Sequence, residues 1–365
     1  MIFKGIWVIL AFALAVWCTG CSGSDNSSEE VVEGKNVKFI ESVFPTDESW
    51  AEAFPIAATN PSCTGAATLS RAHFLSAAAG FPAFCGSESA EKNEQELAAF
   101  LANVSLETNG AAKGGTDGGL CFDSEVGCVY PGCTPGTNCC DYCSDLAPPY
   151  DKYHACPYGY FGRGALQITN PVNYEEAGQA LHDFDPITFP DPNFLVMEPV
   201  KILEGDTAWR ASLNFWMNHA GGFETSGTSV GGKMTCHEAM VDHNDFGKTV
   251  EIINGNLECR NPSEPFQKKT QWRIDYYEHY VRYLFDPPVQ PTKHVKCAGS
   301  SGPSDPTSRC GKGWADANSN CRTCCSVDAD CPDEYPKCYA QLANPTPAGA
   351  ECSCGTGSNL NGSMN

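Results

Sequence analysis

The chain has 365 residues, with 44 acidic against 23 basic side chains and a net charge of −21. That balance excludes a nucleic-acid-binding role, which needs Lys and Arg to neutralise phosphates, and it disfavours an anionic polymer as ligand. Its 22 cysteines point to an oxidising compartment.

Met1–Trp17 carries one early charge, Lys4, followed by the apolar run IWVILAFALAVW. That is signal-peptide length and too short to span a bilayer, so residues 1–21 are expected to be a secretory leader. Cys18-Thr19-Gly20-Cys21 leaves a lipoprotein site as the alternative. Residues 22–45 read as a polar, acidic leader into the mature domain. No later run is long enough for a membrane span, and a secreted, extracellular monomer is expected.

Residues 46–298 can hold a core of their own. In Asn93–Gly110, Leu97, Phe100, Leu101 and Val104 fall at i, i+3, i+4 and i+7, one face of an α-helix. Gly110 reads as its stop, and Glu107 continues the apolar face. A carboxylate in apolar surroundings has its charged form disfavoured, which suits a general acid; the plain alternative is a solvated last turn. A glycine-rich stretch leads to Cys121-Phe122-Asp123-Ser124-Glu125, which places Glu125 18 residues beyond Glu107. One carboxylate on a helix and one on a loop is the layout of an inverting glycosidase, whose pair stands about 6.5–9.5 Å apart to admit a water. A surface role is the default for a loop Glu.

Gly162-Arg163-Gly164 reads as a turn into a short strand over Ala165–Thr169; a phosphate loop would need a different spacing and a lysine. Asn170 and Pro171 read as an N-cap and first helical residue, opening a helix over Val172–Leu181. Trp209, Leu213, Trp216 and Met217 form one apolar helical stripe, and Trp272, Tyr276, His279, Tyr280 and Tyr283 another; both are explained by core packing. Residues 299–309 are a flexible Gly/Ser/Pro linker. Beyond it, 310–354 packs eight cysteines into 45 residues with almost no aliphatic core, so disulfides must hold it. Its Trp314, Tyr335 and Tyr339 either pack those disulfides or stack on sugar rings. Residues 355–365 are a tail. Asn26, Asn103 and Asn361 open glycosylation sequons; Asn103 lies on the helix near the edge of its buried face, where use is not expected. Zinc at Cys139, Cys140 and Cys143, or at Cys236, His237 and His243, competes with disulfides. A secreted context favours disulfides, and no metal or cofactor is expected.

Several blocks resemble the family 19 glycoside hydrolases, the plant-type chitinases. Ala99–Gly110 (AFLANVSLETNG) is similar to the helical block that ends in the family's acid, and Cys121–Glu125 to its loop Y-C-F-x-x-E. Tyr160–Tyr174 (YFGRGALQITNPVNY) matches the central stretch, Phe215-Trp216-Met217 the FWM block, Ile252–Cys259 the block IINGGxEC, and Arg273–Tyr277 the block R-I/V-x-F-Y. They occur in the family's order. Leu106 stands where the family has a histidine before the acid, and Val172 where the central motif has a tyrosine.

The resemblance implies a mainly α, two-lobed, lysozyme-like catalytic domain with a central cleft, followed by a small disulfide-rich C-terminal module. It implies Glu107 as general acid, Glu125 as general base and Thr169 as the hydroxyl that helps hold the water. Gln167, Asn173 and Asn254 would line the sugar sites. Glu258 and Arg273 would be a charged pair beside the acid, acting on it or serving only as a structural ion pair. Cys63–Cys121, Cys143–Cys156 and Cys259–Cys297 match the family's disulfides; Cys85, Cys128, Cys133, Cys139, Cys140 and Cys236 would suffice for three more. The expected partner is chitin or its oligosaccharides, and the expected reaction is inverting endo-hydrolysis of β-1,4 bonds. Peptidoglycan hydrolysis on the same fold and non-catalytic chitin binding are the alternatives. The C-terminal module resembles cysteine-rich modules of secreted carbohydrate-active proteins, which implies glycan binding.

Overall fold

The computed structural model describes residues 34–109, 118–128, 142–143, 159–222, 232–261 and 263–297, and the backbone of four short strands beyond them. Residues 1–21, read above as a leader, and Cys133, Cys139, Cys140, Cys156, Gly110 and Tyr335 lie outside the described residues.

Most helix starts are written locally. Helices α1 (Lys35–Val43), α2 (Asp47–Ala53), α3 (Pro55–Thr59) and α4 (Arg71–Ala79) form the N-terminal layer. Thr46 and Ser49 make a reciprocal capping box on α2, and Ser70 caps α4 by accepting from the His73 N–H. Ser89 accepts from the Lys92 N–H and so starts α5 at Ala90, three residues before the expected start; α5 then runs to Glu107. Asn170, at φ 60°, caps α6 (Pro171–Phe184), with proline at its first position as expected. The short α7 (Phe194–Met197) and a 3-10 turn (Pro199–Leu203) lead into α8 (Thr207–Asn218). A Thr235–Glu238 capping box opens α9 (Cys236–Val241), and Asp245 caps α10 (Phe246–Glu258). The long α11 (Glu264–Tyr283) completes the helical part.

Helix α5 is the axis of the larger core. The sequence pattern shows one apolar face, but Ala98, Ala99, Ala102, Asn103 and Ser105 are as buried as Leu97, Phe100 and Leu101. A helix covered on all sides is a central helix. The small alanines let neighbours approach, and α11 lies along it, with Ser105 Oγ 2.6 Å from the Tyr280 hydroxyl. Phe100 stacks on Phe74 and meets the edge of Trp216, with centroids 6.0 and 5.3 Å apart; fully burying one such ring stabilises by about 1.5–3 kcal/mol. A second core, around Tyr160, Ile168, Tyr174, Leu181 and Leu195, is carried by α6, α7 and the 3-10 turn.

The segment 159–170 joins the two cores. Ala165 and Leu166 belong to the first, Tyr160 and Ile168 to the second. The expected strand over Ala165–Thr169 is instead a tight turn closed by the bridge between Arg163 and Ile168. Gly164, at φ +80°, makes it possible: a Cβ there would sit 3.1 Å from the Ala208 carbonyl oxygen.

Cys63–Cys121 and Cys259–Cys297 are formed as the family resemblance implies. Cys143 is disulfide-bonded too, as is Cys128. Cys85 and Cys236, counted among the spare pairs, are free buried thiols instead. Burial pushes both thiols above their usual pKa, in Cys236 against the opposing charge of Arg273, so they behave as apolar core residues. Among the described residues no cluster of His, Cys, Asp and Glu could hold a metal, and no helix is long and apolar enough to cross a membrane. In the C-terminal region, Trp314–Ala315 pairs with Cys321–Arg322 and Lys337–Ala340 with Cys352–Gly355, both antiparallel.

Glu96 ties α5 to its surroundings. Fully buried, it accepts from the Cys85 N–H (2.9 Å) and Trp216 Nε1 (3.1 Å), and His237 Nδ1 lies 2.6 Å away. Burial opposes the imidazolium, but the hydrogen bond and charge of Glu96 outweigh it and raise the His237 pKa. A raised folded-state value stabilises fully below the unfolded value of about 6.5 and is lost as pH rises through the folded one. His237→Gln should therefore be less stable than wild type at about pH 6, by roughly 1.5–3 kcal/mol, and the gap should close with rising pH. Denaturant titrations across that range check it.

Candidate active site

Glu107 is the last residue of α5, where the helix dipole presents its negative end. A carboxylate there needs a cation, and α11 supplies Arg273. Apolar periodicity alone puts Glu107 in apolar surroundings; the structure instead sets it beside Arg273, as the family resemblance implies, with Glu107 Oε1 accepting from Arg273 Nη2. The Arg273 side chain is 1% exposed and the Glu107 side chain 21%.

The Arg273 guanidinium is used on every side. Nε donates to Glu258 Oε2 at 2.7 Å and Nη2 to Glu258 Oε1 at 2.8 Å, the two-pronged geometry that arginine offers a carboxylate. Nη1 donates to Asn103 Oδ1 at 3.0 Å. Burial opposes the charge of Arg273, but Glu258 and Glu107 outweigh it and hold the group protonated. Glu258 also accepts from Asn254 Nδ2 at 2.8 Å. That reach depends on a break in α10, where Asn254 leaves helical geometry (φ −147°, ψ 32°). The sequence Asn254-Gly255-Asn256 explains the break, since asparagine and glycine are poor helix formers.

Glu125 comes from the loop that Cys63–Cys121 anchors. Asp123 fixes that loop by accepting from Thr68 Oγ1 at 2.7 Å. Ser124 bridges Arg163, and the Glu125 N–H donates to the Gly162 carbonyl at 2.9 Å. Glu125 Oε2 in turn accepts from the Tyr142 hydroxyl at 2.6 Å and the Gly162 N–H at 3.2 Å. Burial, then the hydrogen bond and charge of Glu125, pushes the Tyr142 hydroxyl above its usual pKa and keeps it a donor.

Glu107 and Glu125 line one pocket of about 410 Å³, together with Tyr142, Gln167, Thr169 and Asn254. Gln167, at φ 49°, donates from Nε2 to the Gly164 carbonyl at 2.9 Å. Glu258 and Arg273 line a smaller adjoining pocket. Asn173 is not with them: it sits in the first turn of α6 and lines a separate groove of about 800 Å³ between α6 and α8. Val172 is exposed, while Leu106 packs partly against the larger core. Trp314 and Tyr339 lie on the short C-terminal strands, and their side chains, like Tyr335, are outside the described residues.

Two residues of this site went unread in the sequence. Asn103 drew notice only as a sequon, yet it is fully buried and bonded to Arg273, the Ala99 carbonyl and Thr249 Oγ1. Tyr142 drew none, although its neighbour Cys143 marked a fixed point of the chain. Two carboxyl groups from different elements, each held on one oxygen by a named donor and facing one solvent-filled pocket, can divide acid and base roles.

The sequence profile of the family described as chitinase class I, the family 19 glycoside hydrolases, matches residues 56–297. Chitinase 10 of Oryza sativa subsp. japonica is 30% identical over 241 residues, which cover 61% of this chain and 71% of that protein. An endochitinase of Solanum tuberosum is 30% identical over 254 residues, 65% of this chain and 66% of that one. The crystal structure of chitinase C from Streptomyces griseus is similar over 75% of this chain and 100% of its own, with 25% identity and a TM-score of 0.50.

The burial of Asn103 gives an expected outcome. In protein made by a glycosylating host, the peptide carrying Asn103 should have its unmodified mass, because a glycan cannot be placed on a buried amide that holds Arg273. Asn103→Ala should lower the unfolding free energy by about 1–3 kcal/mol, the cost of leaving buried donors without an acceptor.

Proposed function

The chain belongs to the family 19 glycoside hydrolases, and from that premise we propose that it is a secreted endo-chitinase acting by single displacement. It hydrolyses β-1,4 bonds between N-acetylglucosamine units. The observation that carries this reading is the shared pocket of Glu107 and Glu125, lined also by Gln167, Thr169 and Asn254. In this reading Arg273 occupies Oε1 of Glu107, so the proton for the glycosidic oxygen is carried on Oε2. Tyr142 and the Gly162 N–H occupy Oε2 of Glu125, so Oε1 takes the proton of the attacking water, which the Thr169 hydroxyl helps hold. Gln167 and Asn254 contact sugar in the pocket, and Asn173 serves a more distant part of the chain. Glu258 acts indirectly, by keeping Arg273 in place.

Kinetics on chitin oligosaccharides test the assignment. Glu107→Gln and Glu125→Gln should each lower kcat by about 10²–10⁴-fold, the usual worth of one general acid or base, while oligosaccharide binding persists. Tyr142→Phe, which removes one hydrogen bond to a charged group, should lower kcat about tenfold. A folded Glu125→Gln variant that kept most of its activity would remove the base from this scheme. Hydrolysis of peptidoglycan and not of chitin would replace the substrate.

We also infer that 310–354 is a separable glycan-binding module on the linker 299–309. Tethering raises local concentration at a polymer surface and adds little for a short soluble chain. Truncation after Gly299 should preserve cleavage of short oligomers and weaken adsorption to solid chitin; a pull-down on crystalline chitin beside an oligomer assay measures both. Unchanged adsorption would reject the module's role.

A further inference from the structure

The reaction pocket has a side branch with two lining residues that the family pattern does not account for. An adjoining pocket of about 260 Å³ shares Glu107, Asn109, Asn254 and Lys269 with it, so the two are continuous at the acid. Beyond Glu258 and Arg273, the branch adds Leu106 and Trp272. Leu106 stands where the family resemblance has a histidine. Trp272 precedes Arg273 on α11 and is only partly buried. Lys268 lies one helical turn earlier, its Nζ 5.4 Å from the centre of the indole ring. The indole N–H is buried and finds no acceptor among the described residues.

The chemistry of the lining narrows the ligand. The carboxyl groups of Glu107 and Glu258 are matched by the cations of Arg273 and Lys269, so a bound group need carry no charge. Leu106 and the indole offer apolar surface, while Asn109 and Lys269 offer polar groups at the same pocket. A pyranose ring combines these needs: one face of C–H bonds, and a rim of hydroxyl and acetamido groups. We propose that Leu106 and Trp272 form a subsite for one N-acetylglucosamine unit of the bound chain, its apolar face against the indole beside the acid. This subsite rests on the reading of the Glu107 and Glu125 pocket as a chitin-cleaving site.

The test is hydrolysis of N-acetylglucosamine hexamer and tetramer by the full chain, with KM, kcat and the product ratio from the hexamer as readouts. Trp272→Ala should raise KM for the hexamer about three- to tenfold, the worth of one stacked aromatic contact, with kcat within about twofold. It should also shift the product ratio, because losing one subsite changes the register in which the chain binds; loss of packing alone would not do so. Trp272→Phe should restore most of both. If Trp272→Ala fails to fold, Trp272→Leu keeps apolar bulk without the π face and is read in the same way. Wild-type activity with an unaltered KM and product ratio in the folded variant overturns the subsite alone. A wild type inert toward every chitin oligomer overturns the functional reading and the subsite together.

Discussion

A single buried guanidinium organises this protein. Arg273 is fixed by two bonds to Glu258 and two to Asn103, and Nη2 also donates to Glu107. A buried cation is tolerated only when it is fully paired, and removing one partner leaves an uncompensated charge. The α5–α11 packing and the break in α10 are therefore coupled to the same group. Asn103 belongs to α5, Glu258 ends α10, and Arg273 lies in the middle of α11. The same contact offsets the unfavourable position of Glu107 at the negative end of its helix.

The opposite wall is built differently. Glu125 lies on a loop, and loops are mobile unless tied down. Here Cys63–Cys121 and the Thr68–Asp123 bond tie it to the segment before α4, and the bridge from Ser124 to Arg163 ties it to the turn that joins the two cores. The two carboxylates thus rest on separate supports: one on a helix in the larger core, one on the junction between cores. Each is held on one oxygen by a donor, and in the proposed mechanism the other oxygen does the chemistry. That division is what acid and base roles in a single displacement require.

Much of this was legible in the sequence, for physical reasons. Asn170-Pro171 marked the start of α6 because both residues constrain the backbone at a helix N-terminus. The stripe from Leu97 to Val104 marked α5, although the alanines that bury its other faces carry no periodic signal. Cys63–Cys121 and Cys259–Cys297 followed from the resemblance, while Cys85 and Cys236 did not: a free core thiol and a disulfide half look alike in sequence. Asn103 was hidden because a buried amide is defined by partners 146 and 170 residues away. Tyr142 was hidden in the same way, its partner Glu125 lying 17 residues away. Asn173 was placed with the pocket by its position in the motif, but the first turn of α6 carries it into the neighbouring groove.

The account stands or falls on single displacement between these two carboxylates. The most direct measurement is the anomeric configuration of the first product released from a chitin oligosaccharide, followed by NMR before mutarotation equilibrates it. Attack by a water held at Glu125 on the face opposite the leaving group predicts the α-anomer from the β-linked substrate. The β-anomer as initial product would contradict it, since retention requires a second displacement through a glycosyl-enzyme intermediate.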